Sequence, residues 1–477
     1  MWKAIWLLCL VGLVLRLTGQ SRLPAAWSLP AGPGQHQLSL QERRRLLQKQ
    51  PHWRGLRRAG VHAPQPQRGV PCAALDETPP TLAVGQQGSR SSLLDELTAA
   101  GIIIGCGIGG SFLALPRTTG LAGFLPSTTM MGSIWLFMYL QATVVCDVIV
   151  LASKQGRTSV SYPTVARSAL GPVGGVIVSS LFLMLMVLTQ ISQFSGGGRL
   201  LSLFLGLPYA ASCALLALLL SSVTLLAPIW FVGRFNGLLT VGFICSILVL
   251  FAVGAPLVQW SRLAHANWSC WWEQTPSLLK ILLYHEVMPT ICQLLEFNKK
   301  RIRRAVFVGA LLVLLLNICW SALGIGLVPF SVPLFGKKLD PVEVLLHAGG
   351  PVALAINVLG ACAIWTTVIS TNLATQAFFA DICRGRGQPT LPLLLAGAVV
   401  VCTLVVATTS PGIFFRAINL QGAYPLTVLW GILPPVIALR MGAARDAPCP
   451  RRKALLYVAL ACVAGLALAG RLRTDLL

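Results

Sequence analysis

From Leu93 onward, long apolar runs alternate with short polar breaks, and eleven runs are candidates to cross a membrane, a task that takes about 20 residues each. Their approximate centres are Gly105, Phe137, Leu185, Ala217, Cys245, Tyr284, Val313, Cys362, Val399, Val428 and Ala461. The connections are short, so the pattern predicts one all-α polytopic membrane domain over residues 91–477. Two runs are interrupted. The first carries the glycine-rich stretch GIIIGCGIGGSFLALP, Gly101 to Pro116. The sixth carries His285, Glu286 and Pro289 inside LLKILLYHEVMPTICQLLEF. Ionisable groups at membrane depth are costly and functional by default, and non-helical backbone persists there only where it is buried or lines a cavity. Matched breaks five spans apart predict a five-plus-five inverted repeat, with discontinuous helices 1 and 6 and one added helix. A simpler use of the glycines is helix packing, because Gly105–Gly109 is a G-x-x-x-G.

Gly105, Gly107 and Gly110 also spell the G-x-G-x-x-G of dinucleotide loops. That loop needs a strand before it and an acidic residue about 20 positions later. No Asp or Glu lies between Glu96 and Asp147, so the dinucleotide reading fails. Composition agrees with a membrane protein: 55% hydrophobic and 11% charged residues, against about 25% charged in soluble domains. The net charge of +23 does not indicate a nucleic-acid partner, because the basic residues sit between apolar runs or near the N-terminus, with no aromatic-interleaved basic face. The 14 cysteines show no CxxC or Cys/His metal spacing. No intramembrane Ser/His, metal or paired-carboxylate set suggests an enzyme, and no cofactor or metal is expected.

The first 90 residues are set apart from the fold. Residues 1–20 pair Lys3 with an apolar run of signal-peptide length, Ile5 to Leu15. Residues 21–90 begin with nine basic residues against the single acid Glu42 before residue 76, an Arg-rich, acid-poor transit-peptide composition. The pair predicts delivery to a plastid envelope; a plain signal peptide followed by a basic tail, with an endomembrane or plasma-membrane address, is the alternative. Placing the start of span 1 inside puts 16 Lys and Arg on the inner loops and 8 on the outer ones, so the N-terminus is predicted inside. The Asn267-Trp268-Ser269 sequon and the tryptophans around it fall in an outer interfacial loop.

Five motifs, in order, resemble the tryptophan/tyrosine (hydroxy and aromatic amino acid) permeases, especially plastid-type members. AAGIIIGCGIGGSFLALPRTTGLAGFLPST is similar to their span 1 signature, and VMPTICQLLEFNKKRIRRAVFVGA to span 6 and its basic loop. RFNGLLTVGF, AIWTTVISTNLATQAFFAD and PGIFFRAINLQGAYPLTVLWGILPP are similar to spans 5, 8 and 10. The resemblance covers roughly residues 93–440. It implies proton-coupled symport of aromatic amino acids on an eleven-span fold of the amino acid–polyamine–organocation superfamily. The chain departs from the family pattern at Asp147, where Glu is usual, at His285-Glu286, where Gln-Asn is usual in plastid-type members, and at Ser111-Phe112.

The expected site follows from the substrate. An amino acid brings a carboxylate and an ammonium, and N–H groups freed at a helix break receive the former. That role falls to Gly105, Cys106, Gly107, Ile108, Gly109 and Gly110, with the Ser111 hydroxyl. Carbonyls exposed around Tyr284, His285 and Val287 meet the ammonium. From the resemblance, Tyr284 and Trp365 are candidates to face an aromatic ring, with simple packing as the alternative. Proton coupling is assigned to Glu286 with His285, and Asp147 is a further candidate. Sodium is the competing driving ion, with Thr366, Thr367, Ser370 and Thr371 as possible oxygen ligands; back-bonding to the preceding helical turn is their ordinary use. A non-transporting amino acid sensor on the same fold is the remaining alternative.

Overall fold

The structure, a computed structural model, describes residues 92–153, 162–328, 342, 346, 350–383, 390–443 and 451–476. The predicted leader segments 1–20 and 21–90 lie outside the described residues. So do Lys154, Arg157, Lys337, Lys338, Arg384, Arg386 and Arg445 from the orientation count.

Among the described residues, nine helices are long and apolar enough to cross a membrane, and a tenth span is a helix pair bent by 51°. The bent pair is span 1: Ser92–Gly107 is helical, Gly110–Ala114 is a 3₁₀ turn, and Leu115–Gly120 resumes the helix. Spans 2 to 5 are Phe124–Ser153, Tyr162–Leu205, Tyr209–Leu226 and Ile229–Gly254. Spans 7 to 9 are Lys299–Leu327, Gly350–Cys383 and Leu391–Thr409, and span 11 is Arg451–Leu476. Span 6 supplies the eleventh predicted segment. It consists of two seven-residue helices, Thr275–Ile281 and Met288–Leu294, around the turn His285–Val287. Each half starts with Pro in its first turn, where the missing N–H has no helical partner to lose. Pro289 therefore opens the second half-helix more than it disrupts the first. Glu296 and Phe297 follow with positive φ, and Asn298 then caps span 7 by accepting from Lys300 N and Arg301 N.

Span 10 carries a feature the sequence pattern did not signal. Between Ile413–Gln421 and Leu433–Ala443, residues Gly422–Ile432 form a π-helix containing Pro425. It packs against the first half of span 6, where Gly422 lies directly on the Pro276 carbonyl. Spans 1 and 6 lie against each other at their breaks, span 7 packs on span 1, and spans 3 and 8 are paired neighbours, as the inverted repeat requires. Buried polar groups tie the helices around them. Gln190 donates to Asn372 Oδ1 at 2.8 Å, Asn372 to Thr224 Oγ1 at 3.0 Å, and Thr403 to Gln190 Oε1 at 3.1 Å. Such bonds stand in for the hydrophobic force that lipid does not provide between helices.

Asp147 sits near the Ser153 end of span 2 in an ionic cluster. Its carboxylate pairs with Lys299 at 2.5 Å, Lys453 at 3.2 Å and Arg303 at 3.6 Å, and accepts from the Tyr457 hydroxyl at 3.2 Å. The cluster joins spans 2, 7 and 11. On the same side, Arg301 bonds both Asp95 and Glu96, holding the start of span 1 to span 7.

Candidate substrate site at the paired helix breaks

The two breaks open onto one cavity of about 760 Å³. Span 1 contributes Gly101, Gly105, Cys106, Gly107, Gly109 and Ser111; span 6 contributes Lys280, Leu283, Glu286 and Val287. Span 8 adds Thr366, Thr367, Ser370 and Thr371, and spans 3 and 5 add Met186, Gln193, Asn236 and Thr240. Thr98, Gly101 and Gly105 are exposed along the first half of span 1, so the cavity is reached from the side where Ser92 lies. Beyond the break it is closed: Phe112 stacks on Trp320 at 5.6 Å, edge-on to Phe243, and Trp320 Nε1 donates to Phe112 O at 2.9 Å.

The break in span 1 has a specific cause. Ile108 N still reaches back to Ile104 O, but the next backbone bond runs from Phe112 N to Gly109 O, a tighter turn. Gly110 N donates instead to Thr367 Oγ1 at 3.0 Å, which anchors the break to span 8. Among the described residues, no bond is made to the N–H of Gly109 or Ser111. Two free N–H groups, one on either side of the bonded Gly110 N–H, on residues of a cavity wall suit an anion. In span 6, Val287 N bonds Tyr284 O, and the carbonyls of Leu282 and Leu283 accept nothing among the described residues. Leu283, which lines the cavity, is suited to an ammonium.

The glycines divide by what surrounds them. A Cβ on Gly101 or Gly105 would meet open space, one on Gly107 would press on Val313, and one on Gly110 would collide with the Gln193 amide oxygen. Gly105 thus serves the cavity, while Gly107 and Gly110 serve packing. A Gly105→Val protein is expected to fold with unchanged thermal stability yet bind substrate roughly tenfold more weakly, since the added carbons occupy cavity space. Thermal melts paired with equilibrium binding check this; an equal loss of stability would place Gly105 in packing.

The other predicted residues are distributed unequally. Ile108 is buried beside the break. Glu286 lines the cavity, and its Oε1 is buried without a partner. His285 points the other way: its Nε2 bonds Met138 O at 3.0 Å and its ring lies against Tyr284 and Trp430. Tyr284 is 2% exposed and does not line the cavity. Trp365 lies beyond the opposite wall of span 8, near Phe235 and an apolar recess of about 380 Å³. Asp147, in its ionic cluster, also lies outside the lining. The four hydroxyls of span 8 do meet the cavity. Thr366, Thr367 and Thr371 donate to Cys362 O, Ala363 O and Thr367 O, and Thr367 also accepts from Gly110 N. Back-bonding is therefore part of their use.

Sequence reasoning passed over Lys280, Gln193 and Asn236. Lys280 was visible as a lone cation in an apolar run but entered neither side of the orientation count. Gln193 and Asn236 carry no signal by themselves, because nothing in one sequence says which helical face meets a cavity.

With this geometry in place, comparison with known proteins decides the family. The model of the tryptophan/tyrosine permease family matches residues 95–452. The chain belongs to that family. It is a family of transport proteins, so the chain is a membrane transporter and not an enzyme. It is 21% identical over 370 residues to a tryptophan-specific transport protein of Pseudomonas aeruginosa, covering 72% of this chain and 85% of that one. It is 26% identical over 345 residues to a tryptophan-specific transport protein of Haemophilus influenzae, covering 63% and 79%. A tyrosine-specific transport system of the same organism matches at 20% over 354 residues, covering 70% and 86%. Among solved structures, a manganese transporter of Eremococcus coleocola superposes with TM-score 0.53 at 17% identity, covering 83% of this chain and 90% of that one. MhsT in complex with L-phenylalanine superposes with TM-score 0.50 at 14% identity, covering 80% and 98%. These two share the fold.

Proposed function

We propose that this transporter is a proton-coupled symporter of aromatic amino acids, tyrosine or tryptophan, with its substrate bound between the breaks of spans 1 and 6. The observation that carries the reading is the shared cavity: Gly109 and Ser111, whose N–H groups are free, line it from one break, and Glu286 with Leu283, whose carbonyl is unbonded, lines it from the other. The substrate carboxylate docks on the N–H pair and the Ser111 hydroxyl, and the ammonium docks near the Leu283 carbonyl and Glu286. The ring lies along Ile102, Met186, Leu283 and Val287. The substrate class is that named for the tryptophan- and tyrosine-specific relatives.

Glu286 is the proton-carrying group in this reading. It is the one acid among the described residues lining the cavity, and its orphaned Oε1 is the kind of site a proton satisfies. His285 supports the broken helix from behind through Met138 O. Sodium coupling is the competing reading, through lone pairs left on the span 8 hydroxyls. Uptake into proteoliposomes separates the two. An imposed pH gradient, acid outside the compartment being filled against, is expected to drive tyrosine accumulation without sodium; accumulation that needs sodium and ignores the pH gradient would overturn the proton reading.

The address proposed for the protein is the plastid envelope, with the N-terminus inside, supported by the leader composition and the distribution of Lys and Arg. A fluorescent protein fused behind residues 1–90 is expected to reach plastids. Retention in the secretory pathway would contradict it.

A further inference from the structure

Lys280 has no role in the reading so far. It lies in the last turn of the half-helix Thr275–Ile281 and faces the same cavity as Glu286. Both side chains are half-buried, and both share the cavity with Cys106 of the facing wall. Neither the Lys280 ammonium nor the Glu286 carboxylate makes a hydrogen bond or an ion pair among the described residues. Elsewhere the chain pairs its half-buried acids closely: Asp147 meets Lys299 at 2.5 Å, and Asp95 meets Arg301 at 3.0 Å. Two opposite charges left apart at the centre of a membrane protein are costly, and the cost falls when a ligand supplies both counterions. A zwitterion does so.

The half-helix that bears Lys280 packs on the 3₁₀ turn that begins at Gly110, next to the free N–H groups of Gly109 and Ser111. A carboxylate has two oxygens and about four acceptor sites, enough for an N–H pair and an ammonium together. We propose that Lys280 pairs with the α-carboxylate of the substrate, so that a fixed side-chain cation holds the amino acid alongside the backbone N–H groups of the span 1 break. The proposal rests on the reading of this cavity as an amino acid site. Lys280 is then a binding residue, and the site rejects ligands that keep the ring and the ammonium but lack the carboxylate.

The test compares tryptophan with tryptamine, which is tryptophan without its carboxylate, and leucine with isoamylamine, on purified full-length protein. Wild type, Lys280→Met and Lys280→Arg are measured by direct equilibrium binding, with thermal melts as the folding control. Lys280→Met is expected to weaken the amino acids by roughly tenfold or more and not to weaken the amines, because only the former lose a charged hydrogen bond while the latter lose a like-charged neighbour. Lys280→Arg is expected to keep most of the amino acid affinity. An equal loss for acid and amine, no loss for the amino acids, or equal losses in the Met and Arg variants would each overturn the proposal. If wild type binds leucine but no aromatic amino acid, the aromatic assignment fails while the Lys280 ratio is still read on the leucine pair. If wild type binds no amino acid at all, both fail together.

Discussion

Glu286→Gln is expected to abolish uptake driven by a pH gradient, by roughly tenfold or more, while exchange of substrate across the membrane persists. The amide keeps the shape of the carboxylic acid, so the cavity and the turn His285–Val287 survive. It cannot change charge, so the orphaned Oε1 position no longer distinguishes a loaded from an unloaded carrier. Net flux coupled to protons stops; exchange, which needs only binding and alternation, does not. Glu286→Gln losing exchange and driven uptake equally would remove Glu286 from the coupling step. His285 provides the contrast. Its Nε2 bonds Met138 O behind the site, so His285→Gln is a change to the support of the broken helix and should lower stability without separating exchange from driven uptake.

Gly422→Ala is the second large effect. Gly422 opens the π-helix of span 10, and a Cβ there would fall well inside contact distance of the Pro276 backbone carbonyl. No rotamer relieves a collision with backbone. Span 10 and the first half of span 6 must move apart, at a cost on the order of 3 kcal/mol, the upper end of ordinary overpacking. The half-helix displaced carries Lys280, so lowered thermal stability is expected together with loss of binding. A melting temperature within a degree of wild type would show that this contact is not a support of the site. Gly101→Ala, where a Cβ meets open space, is the matched control for stability.

These predictions draw on features that were legible in the sequence to different degrees. The breaks were plain in one dimension, because glycine clusters and ionisable groups inside apolar runs violate what a membrane helix permits. The first and sixth positions then implied the repeat. What each glycine does was not legible: Gly105 and Gly107 are two residues apart and both line the cavity, yet a Cβ on one would meet open space and on the other would press on Val313. The direction of His285 was hidden for the same reason. Adjacent to Glu286 in sequence, it leaves the 3₁₀ turn on the opposite side and meets span 2 and Trp430. Tyr284 and Trp365 followed from resemblance alone, and their positions behind the walls reflect packing among spans that a single sequence does not record. The π-helix of span 10 had Gly422 and Pro425 as its marks, and these read equally well as an ordinary kink. Lys280 was the most visible omission, a cation among leucines whose meaning depended on sharing a wall with Glu286.

The central claim is that the paired breaks form an amino acid site in a transporter, and counterflow tests it most directly. Proteoliposomes loaded with unlabelled tyrosine or tryptophan and diluted into a trace of the labelled amino acid need no ion gradient and no assumption about the driving ion. The account predicts transient accumulation of label that is reduced, roughly in proportion to the tenfold weaker binding, in the Gly105→Val protein. Absence of counterflow for every amino acid tried, with protein that is folded and inserted, would contradict it.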